Sequence, residues 1–326
     1  MKRMTSIPSL LLAGAMLLPL ALPATSVYAA APQQHTQAPG WYRMVLGEFE
    51  ITALSDGTHA FPIDTVMRGI TPDQIRHGLV DADLAAPVQG SINAFLVNTG
   101  KKLVLIDAGA GVLYGNCCGR LLDNLRAAGY QPEQIDEVLL THLHKDHAGG
   151  IVANGKMAFP NATVRLSQQE ADYWLDPASK AKGPAFLATF YDAAVASTAP
   201  YIAAKRFRPY SSYGELTPGI TAMPAPGHTP GHAMYMVQSG KQQLLVWGDI
   251  IHMAALQLPH PEATVQYDSE QVLARSTRAA LLGKLGKDHV LVGAAHIAFP
   301  GLGHLRQDGK RYTWLPVNYD GLPPAP

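Results

Sequence analysis

Apolar and polar residues along the chain form short stretches that predict strands, separated by polar or glycine-containing turns. Residues 41–54 alternate roughly one by one, which predicts a half-buried pair of strands. The apolar runs 92–97 and 103–106 flank Asn-Thr-Gly-Lys, which predicts a hairpin. Further strand-like runs lie at 137–141, 164–166, 220–223, 234–237, 244–247 and 290–292.

Helical spacing of apolar residues follows several of these runs. Residues 121–128 have this spacing, and a second predicted helix begins after Ser167, with Glu170 as the partner in a capping box. A third helix is predicted over 268–285, with its start signal at Asp268. Residues 178–216 are mixed in pattern, and we expect them to cover a site with helices and loops. Strands that alternate with helices predict a layered α/β domain.

The start of the chain has the pattern of an export signal. A basic pair precedes an apolar run at 9–22, and small residues at Val27 and Ala29 occupy the positions that a signal peptidase reads. Residues 1–29 therefore predict a signal peptide and a periplasmic or secreted protein. Because the apolar run is short and broken by prolines, we expect no stable membrane anchor, although a retained anchor is the alternative.

The remaining chain reads as a single domain. Residues 30–40 predict a flexible leader, and residues 41–326 predict one folded domain without an internal repeat or a long linker. Its last segment, 316–326, contains four prolines and is expected to be irregular.

Composition narrows the classes of function. Lys and Arg number 25 and Asp and Glu also number 25, so the net charge is zero, which argues against a nucleic-acid partner. Only two cysteines, Cys117 and Cys118, occur among 326 residues, and they are adjacent. Two cysteines are too few for a disulfide framework or for a metal site built from cysteines. The adjacent pair could form a strained vicinal disulfide or remain two free thiols. The 13 histidines indicate that any metal would be held by imidazole and carboxylate.

The strongest chemical signal is the segment THLHKDHAGG, residues 141–150. At the end of an extended strand His142 and His144 point the same way, because side chains repeat every second residue. A turn at Lys145 then aims Asp146 and His147 at a neighbouring position. One segment therefore offers ligands to two metal ions.

Three more segments fit this reading. Residues 226–232 form a glycine-rich turn with His228 and His232, Asp249 follows an apolar run, and His296 follows another. Because each candidate follows a strand-like run, we expect them to converge at one edge of a sheet in a single site.

These motifs resemble those of the metallo-β-lactamase-fold hydrolases, and within them the methyl parathion hydrolase and lactonase-like group. The matching stretches are QPEQIDEVLLTHLHKDHAGG (131–150), APGHTPGH (225–232), GD (248–249), GAAHIAFPGLGH (293–304) and PVNYD (316–320). The resemblance covers roughly residues 41–320 and implies a four-layer αβ/βα sandwich.

The resemblance also implies a role for each matching residue. One metal would be bound by His142, His144 and His228, the other by Asp146, His147 and His296, and Asp249 would bridge both. His232 is favoured as a packing residue or a residue that supports a ligand, and Asp107 resembles the family's acid beneath the site. Zinc is the expected metal, with Mn, Co or Fe as alternatives.

The resulting prediction is a dinuclear hydrolase in which a metal-bridging hydroxide attacks small neutral lactones, aryl esters or organophosphate triesters. Asp249 and Asp146 would act through the metals, and His252 is the candidate proton donor to the leaving group. Trp174, Phe186 and Phe190 are candidates for an apolar pocket wall. Gly-x-Ser-x-Gly is absent from the sequence, which weakens a serine-hydrolase reading.

Three other functions are compatible with these motifs. The protein could be a β-lactamase, although Asp249 argues against that, or a thioesterase of the same fold. It could also be a metal-binding or redox protein that hydrolyses nothing. Relatives in the family suggest a homodimer, which nothing in the periodicity of this chain demonstrates.

Overall fold

The computed structural model describes residues 31–320, so the predicted signal peptide at 1–29 lies outside the described residues. The described residues fall into two units, with the boundary between Ala38 and Pro39. Residues 31–38, in the first unit, contain no helix or strand and are exposed. No helix within the described range is both long and apolar enough to cross a membrane. All helices and strands of the described range lie in the second unit.

Short strands make up much of this unit. In chain order they are β1 (Trp41–Leu46), β2 (Phe49–Phe61), β3 (Met67–Arg68), β4 (Val88–Asn98), β5 (Leu103–Ile106), β6 (Glu137–Leu139), β7 (Val152–Ala153), β8 (Lys156–Met157), β9 (Thr163–Arg165), β10 (Gly214–Thr217), β11 (Ile220–Pro224), β12 (Ala233–Ser239), β13 (Gln242–Val246), β14 (Thr264–Val265), β15 (Leu291–Gly293), β16 (Leu302–Asp308) and β17 (Arg311–Pro316).

The helices lie between these strands in the chain. They are α1 (Ile63–Val66), α2 (Pro72–Asp81), α3 (Leu121–Ala127), α4 (Lys145–Ala148), α5 (Gln168–Leu175), α6 (Pro177–Lys182), α7 (Ala188–Ala203), α8 (Ala254–Gln257) and α9 (Gln271–Asp288). Of these, α1, α2 and α8 pack together in an apolar cluster of their own. Short 3₁₀ segments lie at Gly111–Cys117, Pro132–Gln134, Gly149–Ile151, Ala185–Leu187 and Gly248–Ile250.

Two mixed sheets form the centre. The first has the order β1-β2-β4-β5-β6-β9 and the second the order β10-β11-β12-β13-β15-β16-β17. Strands β5, β6 and β9 run parallel, as do β13 and β15. Parallel neighbours need a crossover connection, and α3 and α9 lie in two of these connections.

Three apolar cores establish the order of the layers. Phe95 and Tyr235 belong to the core that joins the two sheets. The other face of the first sheet packs against α3, α5 and α7 through residues such as Leu125 and Trp174. The other face of the second sheet packs against α9 around Leu282. The order helix, sheet, sheet, helix confirms the predicted αβ/βα sandwich.

This layering explains the sequence pattern of the inner strands. A strand that is covered on both faces buries consecutive side chains, so residues 92–97 in β4 are all buried and read as one apolar run. The predicted hairpin at 92–106 is β4 and β5. The predicted strand pair at 41–54 is β1 and β2, but β2 continues to Phe61 alongside β4, with a register shift between Ser55 and Gly57.

Two details of the predicted helix starts were wrong. Ser167 does cap α5 by accepting from the Glu170 amide, but the Glu170 carboxylate accepts from the amides of Leu143 and Gly231 instead of closing a capping box. Helix α9 begins at Gln271, and the Asp268 carboxylate bonds elsewhere. In both cases the buried carboxylate accepts hydrogen bonds from loops near the candidate site. These bonds take the place of the hydrogen bond that would cap its own helix.

The core between the sheets yields a prediction for stability. Phe95 is 1% exposed, so Phe95→Ala should lower the free energy of unfolding by about 3–5 kcal/mol through lost burial and a cavity. Denaturant unfolding measures the change. Val272→Ala on α9, where Val272 is 72% exposed, serves as the control and should stay within about 0.5 kcal/mol of the parent. Equal effects of the two substitutions would contradict the assigned core.

Candidate metal centre

The candidate ligands lie where strands of the two sheets end. Asp107 follows β5, and the motif segment that begins at His142 follows β6, both in the first sheet. His228 lies between β11 and β12, Asp249 follows β13 and His296 follows β15, all in the second sheet. The facing sheets therefore bring segments that are distant in sequence to one place.

The structure brings all seven predicted ligands together in two groups. His142, His144, His228 and Asp249 each offer a ligand atom within 4.8 Å of the others, and Asp146, His147 and His296 form a second group by the same measure. All seven residues are buried. The membership of each group is the one that the family resemblance implies.

Asp249 touches both groups through different oxygens. Its Oδ2 lies 3.2 Å from His228 Nε2 and 3.6 Å from His142 Nε2. Its Oδ1 lies 3.0 Å from His147 Nε2 and 3.1 Å from His296 Nε2. A carboxylate in this position can contribute one oxygen to each of two cations.

Unpaired nitrogens show that these residues suit a metal. Among the described residues, the buried Nε2 atoms of His142, His144, His147 and His296 make no hydrogen bond, although those of His147 and His296 lie close to Asp249 Oδ1. Buried polar atoms without a partner are rare in folded proteins because they cost free energy. Neutral imidazoles and carboxylates are donors that zinc and similar divalent ions accept, so a divalent cation would satisfy these atoms.

The opposite ring nitrogens are held by fixed acceptors. His147 Nδ1 lies 2.9 Å from Asp107 Oδ2, and His228 Nδ1 lies 2.7 Å from Asp268 Oδ1. His296 Nδ1 donates to the carbonyl of Ser91 at 2.9 Å. Such contacts fix the ring orientation and leave the Nε2 lone pair directed at the site. Asp107 thus lies beneath the site, where the resemblance puts the family's acid.

Burial and charge set the protonation of the cluster. Burial, reinforced by the neighbouring histidines, holds the pKa of His142 well below its usual value. Burial acts against ionisation of Asp249, but His147, His296 and other rings outweigh it and hold the Asp249 pKa well below normal. The same carboxylate, with Asp107 and Asp146, overcomes burial and raises the pKa of His147. Asp249 is therefore ionised, which is the form in which a carboxylate binds a cation.

Two further histidines border the cluster. His232 accepts from the Asp249 amide through Nε2 and contacts the Ala225 carbonyl through Nδ1, so it positions Asp249. Burial lowers the pKa of His232 to about 3, which keeps it neutral. His252 Nε2 lies 3.0 Å from Asp249 Oδ2, and its ring lines the cavity above the cluster.

A cavity of about 180 Å³ opens onto the cluster. Its lining includes the candidate ligands His144, Asp146 and Asp249, together with His59, Phe61, Pro62, Val66, Tyr114, Phe190, His252 and Tyr267. Of the three predicted wall aromatics, Phe190 lines the cavity and Trp174 packs edge-on against the His144 ring at 5.0 Å. The predictions for Trp174 and Phe186 were wrong, because both side chains lie outside the lining: Trp174 is buried in the core, and Phe186 is 46% exposed.

Sequence reasoning missed the carboxylates that tie the site together. Glu170 is fully buried, and it accepts from the Leu143 amide, the Thr229 hydroxyl and the Gly231 amide. It thereby links the motif segment to the turn that carries His228. Glu170 and Asp268 both look like helix-start residues in the sequence, and no local signal separates a cap from a distant anchor.

Asp268 gives a test of this support. Asp268→Asn replaces the carboxylate that holds His228, so zinc affinity should fall by about 10–100-fold. Competition with a chromogenic chelator measures the affinity. Asp73→Asn on α2 is the matched control, because the Asp73 side chain is 73% exposed. An Asp268→Asn affinity within about twofold of the parent would contradict a role for Asp268 in metal binding.

Comparison with known proteins agrees with this geometry. The sequence model described as "Metallo-beta-lactamase superfamily" matches residues 87–296. The crystal structure of hydrolase AbOPH in the beta lactamase superfamily aligns with a TM-score of 0.84 and 38% identity, over 88% of this chain and 100% of that one.

Two lactonases are also similar. AidC, a dizinc quorum-quenching lactonase in complex with a product, aligns with a TM-score of 0.78 and 28% identity, over 86% of this chain and 99% of AidC. The N-acyl homoserine lactonase AttM of Agrobacterium fabrum is 31% identical over 117 residues, which are 36% of this chain and 41% of AttM.

Proposed function

Because the chain belongs to the metallo-β-lactamase superfamily and is a metal-dependent hydrolase, we propose that it uses two metal ions to hydrolyse small neutral esters. The substrates would be lactones, aryl esters or organophosphate triesters. The observation that carries this proposal is Asp249, whose Oδ1 and Oδ2 face separate groups of candidate ligands.

Each residue of the cluster has a place in this proposal. His142, His144, His228 and Asp249 would hold one ion, and Asp146, His147, His296 and Asp249 the other. When bound, such ions polarise a carbonyl or phosphoryl oxygen and lower the pKa of water toward neutrality. Zinc is the metal we favour, since AidC is described as a dizinc enzyme.

The cavity wall favours an uncharged substrate. Phe61, Phe190 and Val66 give it apolar surface, and its lining residues include neither Lys nor Arg. Lys145 lies against this wall, with its Nζ 5.2 Å from the Tyr114 ring centroid and 4.7 Å from that of Phe190, but it is not itself a lining residue. The lining itself thus offers no Lys or Arg to a substrate with a strong negative charge. Lactones, aryl esters and phosphotriesters share an electrophilic centre without a net charge.

Two side chains in the wall can meet the substrate through polar atoms. Among the described residues, the buried Tyr267 hydroxyl and His252 Nδ1 have no hydrogen-bond partner. Burial raises the pKa of Tyr267 well above its usual value, so its hydroxyl keeps a proton to donate. His252 could exchange a proton with the departing oxygen through Nδ1.

The names of similar proteins support lactones among the candidates. AidC and AttM are both described as lactonases. A β-lactamase or a thioesterase would share the fold and remains the competing assignment. We also propose export to the periplasm or beyond, on the basis of residues 1–29 alone, and the oligomeric state stays a prediction.

A substrate panel on metal-quantified enzyme tests the proposed function. It contains a δ-lactone, an N-acyl homoserine lactone, an aryl ester, methyl parathion and a cephalosporin, compared by kcat/KM. We expect two metal ions per chain and turnover of at least one of the first four substrates. Asp249→Asn, which disturbs both groups, should lower kcat/KM by at least about a thousandfold. A dimetal enzyme that cleaved only the cephalosporin, or none of the five, would refute the proposal.

His252 is tested by the nature of the leaving group. An alkoxide needs a proton more than a phenolate does, so His252→Ala should lower kcat by about 10²-fold or more for an alkyl ester and by less for an aryl ester. His77→Ala is the control, because His77 is an exposed residue of α2 that does not line the cavity. Equal loss for both esters, or no loss, would remove His252 as the proton donor.

A further inference from the structure

The two cysteines, which the mechanism leaves unused, lie together behind the cavity wall. Both are free thiols and both are half-buried. Their Sγ atoms are 2.7 Å apart. No other cysteine occurs in the sequence, so any disulfide within one chain must join this adjacent pair.

Cys117 contacts two residues that form the wall. Its Sγ lies 3.3 Å from the Tyr114 carbonyl oxygen, to which it donates, and 3.8 Å from His59 Nδ1. The His59 ring stacks on the Tyr114 ring at 4.4 Å, and both rings line the cavity. The position of the Cys117 sulfur is thus coupled by direct contact to the shape of the cavity.

The segment that carries the cysteines, residues 110–121, is fixed at both ends by one buried carboxylate. Asp56 accepts from the amide of Ala110 through Oδ2 at 2.9 Å and from the amide of Leu121 through Oδ1 at 3.1 Å. We call this segment the cysteine loop. Because its ends are held, a rearrangement at the cysteines must be absorbed in the middle of the loop, where Tyr114 lies.

The loop also has no free space on its inner side. A Cβ at Gly57, in the irregular part of β2, would lie 2.1 Å from the Cys117 carbonyl oxygen. The backbone of Cys117 therefore rests directly on the strand and has little room to move inward. A change at the Cys117 side chain must therefore alter its contacts with His59 and Tyr114.

From these contacts we propose that Cys117 and Cys118 form a redox-sensitive modification site, at which a small-molecule disulfide oxidises the pair and reshapes the wall of the cavity. The Cys117 thiolate attacks the small disulfide and releases one thiol. The Cys118 sulfur then attacks Cys117 and releases the second thiol. One S–S bond forms, one breaks, and the two thiol protons leave on the released small thiols.

Bond formation removes the contacts that Cys117 makes with the wall. The oxidised sulfur has no S–H to donate to the Tyr114 carbonyl, and it turns toward Cys118 and away from His59. Adjacent Cα atoms are about 3.8 Å apart across a trans peptide, which is below the usual 4.4–6.8 Å range for disulfides. Oxidation must therefore distort the local backbone. Strained disulfides are the ones that small thiols reduce most readily, so the change is reversible.

The test uses the full metal-loaded enzyme equilibrated in glutathione buffers of increasing oxidation. Its activity readout rests on the proposed function, so mass spectrometry and thiol titration are measured in parallel and stand without it. We expect the peptide that contains both cysteines to lose two hydrogen atoms without gaining glutathione. In step with that loss, kcat/KM for an aryl ester should fall by about tenfold and recover on reduction.

Two variants locate the effect. Cys118→Ser keeps the contacts of Cys117 but cannot form the bond, and should retain its activity in every buffer in which it carries no glutathione. In Tyr114→Ala the ratio of reduced to oxidised activity should approach one, because the coupled ring is absent. Metal content must stay constant throughout.

Several results would overturn the proposal. Activity could stay unchanged once the two hydrogen atoms are lost, or both thiols could persist in the most oxidising buffer. The parent could instead add glutathione stably in place of the internal bond. Finally, a loss of metal could account for the inactivation. A chain without esterase activity that still formed the internal bond would refute the proposed function but leave the modification site standing.

Discussion

The structure depends on the groups that compensate the negative charge of carboxylates buried among imidazole rings. A carboxylate in a dry interior is costly unless cations or hydrogen-bond donors surround it. Five buried acids lie in and around the cluster: Asp107, Asp146, Glu170, Asp249 and Asp268. Arg278, also buried, approaches Asp268 at 3.9 Å. The amides, hydroxyls and rings of the loops are arranged to complete the compensation, which fixes where those loops run.

Features that are local in sequence could be predicted, and features that act over a distance could not. The His and Asp residues of the segment 142–147 indicate a metal site within only six positions. Apolar runs that are buried on both faces identify inner strands such as β4. Strand β2 was underestimated because its second half, beyond Ser55, is only partly buried and loses the apolar pattern. Glu170 and Asp268 bond to partners 27 to 61 residues away, and nothing near them in the sequence indicates those partners.

The candidate metal ligands and most of the cavity wall come from different parts of the fold. The ligands follow strands of the two sheets or lie in α4, where the backbone is held by pairing and packing. The cavity wall includes residues from the end of β2, the cysteine loop, α7 and the loop after β14. Changes in these outer segments can therefore alter the choice of substrate while leaving the metal ligands in place, as is common where loops on a rigid scaffold carry specificity.

Each group of candidate ligands draws on both halves of the chain. His142 and His147 follow a strand of the first sheet, whereas Asp249 and His296 follow strands of the second. No fragment that contains only one sheet could therefore assemble either group. A bound ion would act as a cross-link between the two sheets, and its binding energy would count toward docking one sheet on the other. The availability of metal would then govern how long the whole domain survives proteolysis, independently of any substrate.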